Sequence, residues 1–328
     1  MLTDAVLAQA LTHALAQVSL PPLPAHIRHT SGKVRESLVW DQRRLLITTD
    51  RVSAFDHILG VVPFKGQLLN QLSAWWFEQV ADLVAHHMLA VPDPNVMLVR
   101  EATALPVEVI VRGYITGVTS TALWTRYAQG EREPYGIPLP DGLQKNDPLP
   151  TPIITPTTKA AQGHHDERLT RTELLERELV APGLWAQVEQ VALALFARGQ
   201  ERARAAGLIL VDTKYEFGLL DGQLALIDEI HTPDSSRYWL AASYARDPHA
   251  PEHYDKEYLR MWYTAHGYRG DGIPPTMPPD VSVQVAQRYI FVYEQLTGQA
   301  FVPAPVPASE RIAAAVVSLY NDIATRLS

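Results

Sequence analysis

The stretch LILVDTKYEFG, Leu208 to Gly218, decides the fold. Leu208, Ile209, Leu210 and Val211 form a run with no polar face, as in a strand buried on both sides. Asp212, Lys214 and Glu216 then arrive at alternate positions. Side chains alternate across a strand, so these three charges share one face, while Thr213, Tyr215 and Phe217 take the other. A core strand that gathers two carboxylates and an amine on one side is built to meet a charged partner there. Upstream, Val188, Val191 and Leu195 recur at helical spacing within Leu184–Ala206, and Gly207 is a natural helix stop. Downstream, Asp221-Gly222 and a second apolar run, Leu224 to Ile230, predict a β-hairpin.

The register of that hairpin decides which residue joins Glu216. A two-residue turn at Asp221-Gly222 sets Ile227 opposite Glu216; a three-residue loop, 221–223, sets Asp228 there. The second is favoured, because it aligns Leu224 and Leu226 with the charged face and collects Asp212, Glu216 and Asp228 around Lys214. Two carboxylates about 5 Å apart at an effective dielectric of about 20 repel by about 3 kcal/mol. That is large beside a domain stability of about 5–15 kcal/mol. One lysine balances three carboxylates poorly, which implies a further cation. Oxygen ligands on a half-exposed site suit Mg²⁺, an ion that commonly arrives with phosphates.

The chain has 328 residues and a net charge of −8, without a cluster of Lys and Arg to make a nucleic-acid surface. The absence of cysteine excludes disulfide and thiolate chemistry and fits a reducing, cytoplasmic setting. The N-terminus, with Asp4 and with Leu7, Leu11, Leu15 and Val18 at helical spacing, reads as an amphipathic helix and not as a signal peptide. No segment approaches the roughly 20 apolar residues of a membrane span. Small-molecule partners are therefore expected, with neither nucleic acid nor membrane, and a monomer is favoured over a homodimer.

Ser19–Pro24 ends the first helix, and short strands are expected at Ser37–Trp40, Arg44–Thr48, Ile58–Pro63, Met97–Arg100 and Val107–Val111, with a helix at Gln67–Val84. Gln129–Pro156 is rich in Pro and Gly and reads as a long irregular connection. Past Asp255 the pattern is mostly helical, with a last helix from Ser309. Strands first and helices later predict an α+β fold.

Four loops carry candidate anion ligands. HTSGKVRESLVW, His29–Trp40, offers Gly32, Lys33 and Arg35 to phosphates, although it is neither a P-loop nor a GxGxxG turn. VEVIVRGYITG, Val107–Gly117, places Arg112 at the mouth of a β-run. TPTTKAAQGHHDE holds Lys159 and Asp166; its adjacent His164 and His165 lack the spacing of a helical zinc site. HTPDSSRYW, His231–Trp239, offers Asp234 and Arg237 directly after the carboxylate strand.

The segments SGKVRESL, TDRVSAFD, VEVIVRGYITG, TPTTKAAQGHHDE, GLILVDTKYEFG, LIDEIHTPDSSRYW and DKEYLRMW, running in order from residue 31 to about 262, together resemble the phosphoribosylaminoimidazole-succinocarboxamide synthase (SAICAR synthetase) family. The resemblance implies an α+β fold: a small N-terminal antiparallel sheet domain, residues 1–103, and a larger domain, residues 104–328, with a helical C-terminal extension. It implies an ATP-dependent ligase of purine biosynthesis that uses Mg²⁺ to join L-aspartate to the carboxylate of carboxyaminoimidazole ribonucleotide (CAIR), by way of an acyl phosphate. By resemblance Gly32, Lys33 and Arg35 bind ATP, and Glu216 and Asp228 bind the metal. Asp56, Arg112, Ser120, Asp166, Asp234 and Arg237 bind substrate, and Lys159, Asp212 and Lys214 are catalytic. Two departures stand out: the loop reads GKVRE where the family pattern is GKVRD, and VTSTALW after YITG leaves Thr119 and Ser120 as alternative phosphate hydroxyls. The alternative function is a kinase-like phosphotransferase, suggested by Glu216-Phe217-Gly218; it lacks an H-R-D loop and an A-P-E motif.

Overall fold

The computed structural model describes residues 2–118, 122–159 and 166–327. The decisive strand runs Leu208–Leu220 and turns at Asp221-Gly222 into Gln223–Ile227. The pairing is Leu220 with Gln223 and Glu216 with Ile227, so the two-residue turn is the one formed and the expected three-residue register is not. The reason is backbone twist. Asp221 (φ 51°) and Gly222 (φ 78°) both sit in the left-handed region, as a type I′ hairpin turn requires, and that turn matches the right-handed twist of its strands. Asp228, at φ 67°, lies just past the strand end instead of opposite Glu216.

The chain forms two compact units, both discontinuous in sequence. One comprises Met1–Trp75, His87–Glu101 and Lys256–Ser328; the other comprises Trp76–His86 and Ala102–Asp255. The helical C-terminal stretch thus groups with the N-terminal strands, where the sequence division at 103/104 had assigned it to the second domain. Packing accounts for this. Ala308, Ile312 and Val316 of the last helix, Ala308–Leu327, complete the core formed by Leu15, Ile27, Leu38, Trp40, Leu45, Ile47 and Val96. Each fully buried Ile or Val contributes about 1.5–3 kcal/mol, which makes the helix integral to that core.

The first unit is built on a five-stranded sheet, in spatial order Arg28–Ser31, Arg35–Trp40, Arg43–Thr48, Val96–Arg100 and Met88–Asp93. Leu38 and Trp40 alternate inward with Leu45 and Ile47 of the next strand. A separate two-stranded hairpin, Arg51–Ala54 with His57–Val61, turns at Phe55 and Asp56, both at positive φ. The N-terminal helix is shorter than its apolar spacing predicts. It spans Asp4–Leu11, capped by the Thr3 hydroxyl.

The second unit centres on the Leu208–Leu220 strand, which pairs antiparallel with Thr103–Tyr114 on one side. On its other side it pairs with Ser236–Leu240 along its first half and with Gln223–Ile227 along its second. Beyond Thr103–Tyr114 lies an edge strand, Pro148–Thr158, which takes up the end of the stretch Gln129–Pro156 expected to be irregular. Its prolines are tolerated because an edge strand has one side free of ladder bonds, and its register shifts between Pro148 and Ile153. The long helix Pro182–Ala205 packs on the sheet, with Trp185, Val188, Leu195 and Phe196 buried. Among the described residues, no helix is long and apolar enough to cross a membrane.

Candidate active site

Three neighbouring strands bring a ladder of charges to one face of the second unit's sheet. Asp212 pairs directly with Arg112, and Glu216 with Glu108. Lys214 lies between them on the same face. On the far side Asp212 pairs with Arg237. The Asp212 Oδ2 accepts from Arg112 Nη1 at 3.1 Å and from Arg237 Nη1 at 2.6 Å. Arg112 Nε donates in turn to the hydroxyl of Thr155 at 2.9 Å. Two guanidinium forks are thereby held against one buried carboxylate, a geometry that suits a dianionic phosphate added to the same pair. Asp212, expected from the resemblance to be catalytic, carries both arginines on one oxygen.

Two residues along the strand, a carboxylate–amine patch follows. Lys214 Nζ donates to Glu108 at 2.6 Å and to Glu216 at 2.9 Å, and Lys159 donates to the other oxygen of Glu216. Burial alone would raise the Glu216 pKa, but Lys214 and Lys159 outweigh it and hold the carboxyl at about 2. Burial would lower the Lys214 pKa, yet Glu216, Glu108 and Asp228 drive it well above the usual lysine range. Glu108 goes the other way. Burial raises its pKa, and the negative charges of Glu216 and Asp166 add to the rise against the pull of Lys214. Among the described residues carboxylates here outnumber amines: Glu108, Glu216 and Asp228 act on Lys214, Asp166 on Glu108, and Lys159 joins at Glu216.

That excess is the condition a divalent cation relieves. Among the described residues, no three acidic or imidazole side chains close into a ready-made cage. Mg²⁺ does not need one, since it is usually held by one or two carboxylates together with water and substrate phosphates. The oxygen-only donor set, with Glu216 and Asp228 both acting on Lys214, fits that mode.

In the first unit, the expected phosphate loop is the turn between Arg28–Ser31 and Arg35–Trp40. Gly32 and Lys33 are exposed on it, and Lys33 Nζ donates to Asp56 at 2.5 Å, so the hairpin tip of residues 55 and 56 lies against the lysine. Arg35 opens the following strand, opposite Thr48. Asp234 lies in the turn before Ser236–Leu240, where the Thr232 hydroxyl takes the Ser235 amide at 3.2 Å. Ser120, with Thr119, and the pair His164 and His165 lie outside the described residues.

The structure adds Glu108, Thr155, Glu36 and Arg51 to the residues singled out from sequence. Glu108 had a signal: in VEVIV it is the one charge in an apolar run, and it shares its face with Arg112 by alternation. Glu36 accepts from Arg51, Ser31 and His29 at 2.8–3.0 Å, and these bonds overcome burial to lower its pKa.

The family model described as SAICAR synthetase matches residues 28–275. The phosphoribosylaminoimidazole-succinocarboxamide synthase of Legionella pneumophila (strain Lens) is 47% identical over 289 residues, covering 86% of this chain and 92% of that protein. The chloroplastic enzyme of the same name from Arabidopsis thaliana is 44% identical over 315 residues, covering 92% of this chain and 75% of that one. Among solved structures, SAICAR synthase from Saccharomyces cerevisiae, complexed with SAICAR, superposes with a TM-score of 0.75 at 32% identity, covering 88% of this chain and 100% of the yeast chain. A family match over most of the chain, and relatives aligned over 86% and 92% of it, agree with the α+β architecture and the charged sheet face: the chain belongs to the SAICAR synthetase family of ATP-dependent carbon–nitrogen ligases.

Proposed function

We propose that this chain joins L-aspartate to the carboxylate of CAIR, cleaving ATP to ADP and phosphate and releasing SAICAR. The observation that carries the reading is the sheet face of the second unit. There a two-arginine clamp on Asp212 and a carboxylate–lysine patch lie two residues apart along one strand. The yeast relative, solved with SAICAR, supports the product.

Arg112 and Arg237 take the phosphate of the ribonucleotide, with Asp212 and Thr155 fixing their forks. This fixes one end of CAIR, so that its carboxylate lies toward Lys214 and Lys159. Gly32, Lys33 and Arg35 take the phosphates of ATP, and Asp56 releases Lys33 as they enter. Glu216 and Asp228 hold Mg²⁺, which when bound neutralises phosphate oxygens. Asp166 and Asp234 bound the substrate region.

A carboxylate resists attack by an amine, because an oxide would have to leave. A CAIR carboxylate oxygen therefore attacks the γ-phosphorus, the bond to ADP breaks, and an acyl phosphate forms. The neutral amine of aspartate then attacks the acyl carbon, the acyl carbon–oxygen bond to the phosphate breaks, and the departing inorganic phosphate takes the proton that the nitrogen sheds. Lys214, its pKa raised by the carboxylates around it, stays protonated, and with Lys159 it neutralises the oxygens in transfer, so positioning and charge supply most of the effect. The test is to label the CAIR carboxylate with ¹⁸O. One label is expected in the released phosphate; unlabelled phosphate with normal amide formation refutes the path.

A further inference from the structure

The phosphate loop has a foundation that the lysine on its surface does not reveal. Arg51 is buried at 9% exposure, and two of its three guanidinium nitrogens bond carbonyls of the loop. Its Nε donates to the carbonyl of Lys33 at 2.9 Å, and its Nη2 to the carbonyl of Gly32 at 3.0 Å. Nη2 also meets Glu36 at 2.8 Å, and Nη1 meets the carbonyl of Ala16 at 3.0 Å. Thr49 completes the set, giving both its amide (2.9 Å) and its hydroxyl (2.8 Å) to the carbonyl of Val34. Three consecutive loop carbonyls, 32, 33 and 34, thus face inward to donors.

A peptide unit carries its C=O and N–H on opposite sides. Tying the carbonyls of Gly32 and Lys33 inward therefore turns the N–H groups of Lys33 and Val34 outward, while Arg35, whose carbonyl accepts the Gly32 N–H at 2.8 Å, keeps its own edge toward Gly32. Successive outward N–H groups form an anion-binding nest. From this geometry we infer that Arg51, locked by Glu36 and assisted by Thr49, is the positioning residue that makes loop 32–35 a phosphate nest. Lys33 then supplies charge to a cradle that Arg51 shapes. The Glu at position 36 has the reach to accept from Arg51, Ser31 and His29 together, which gives the GKVRE spelling a structural role.

The inference rests on the reading of this loop as the ATP-phosphate site, and the test separates the two. Binding of ATP with Mg²⁺ is titrated for Lys33→Ala, Arg51→Lys and Thr49→Val, with the KM for CAIR and the melting temperature as companions. A lysine has one amine and no fork, so Arg51→Lys is expected to weaken ATP binding by about tenfold or more while the KM for CAIR stays within about twofold. Thr49→Val keeps the amide bond to Val34 and is expected to weaken ATP binding by about two- to fivefold without loss of folding. Chemical shifts of the amides of Lys33 and Val34 should move on addition of inorganic pyrophosphate in the parent and move less in Arg51→Lys. If Lys33→Ala weakens ATP binding while both other variants bind as the parent does, Arg51 is not the positioning residue and the loop reading stands. If all three bind normally, the loop reading falls and the inference with it. Equal losses for ATP and CAIR, tracking a fall in melting temperature, reduce Arg51 to a folding role and also overturn it.

Discussion

Replacing Asp212 with Asn removes one charge and almost no volume. In the parent, Oδ2 of Asp212 is shared by Arg112 at 3.1 Å and Arg237 at 2.6 Å, and all three side chains are largely buried. The variant leaves two guanidinium groups facing each other with only an amide oxygen between them. Removing one partner of a buried ion pair costs about 3–5 kcal/mol. The asparagine oxygen still accepts one bond, so the lower end, about 3 kcal/mol, is expected. For a unit of this size that corresponds to a melting temperature lower by roughly 6–12 °C.

Phosphate supplies the missing anion. Inorganic phosphate or CAIR should therefore raise the melting temperature of Asp212→Asn by more than it raises the parent's, in a thermal-shift titration. In steady state, the same tighter hold on phosphate lowers the KM for CAIR while kcat at saturation largely survives. A general base gives the opposite pattern, since its loss lowers kcat by about 10²–10⁴ with or without phosphate. A variant that melts with the parent, gains nothing extra from phosphate and loses about a hundredfold in kcat at unchanged KM would refute the bracing role.

Three further outcomes are expected. Glu216→Gln or Asp228→Asn should fold and bind CAIR yet need much more Mg²⁺ for half-maximal activity; normal activity at limiting Mg²⁺ removes that residue from the ligand set. Gly199→Ala should destabilise by up to about 2 kcal/mol, because its methyl would meet His231 and Leu210 at 2.6 Å, an overpacking cost of about 1–3 kcal/mol set against a gain of roughly 1 kcal/mol in helix propensity; urea midpoints check the sign. His231 is fully buried, which lowers its pKa to about 3, while the unfolded chain binds the proton near pH 6.5. Stability from this group is therefore complete above about pH 6.5 and is lost as pH falls toward 3, by up to about 5 kcal/mol; urea titrations across pH 4–7 should show that slope, and His231→Gln should flatten it.

The parts legible in sequence are those whose physics is local. Alternation along LILVDTKYEFG put Asp212, Lys214 and Glu216 on one face because strand geometry permits nothing else. The hairpin register was misread because it was chosen to maximise charge convergence, whereas Asp221-Gly222 already specified a type I′ turn. Convergence did not need that register: Asp228 still acts on Lys214 from the loop after the strand. The Pro148–Thr158 strand was hidden by its prolines, which mark a loop in isolation and an edge strand once a neighbour such as Thr103–Tyr114 exists.

Partners far apart in sequence were the least legible. Glu108 joins Lys214 across 106 residues, and Arg51 reaches back 18 residues to the carbonyl of Lys33. A single sequence gives residue types and local spacing but not which backbone carbonyl a buried guanidinium will find. That is also why the surface lysine of GKVRE drew the phosphate assignment while the arginine beneath it did not. Charge on a loop is visible in its spelling. The orientation of the loop's peptide groups is set by a residue on another strand, and only the folded chain brings the two together.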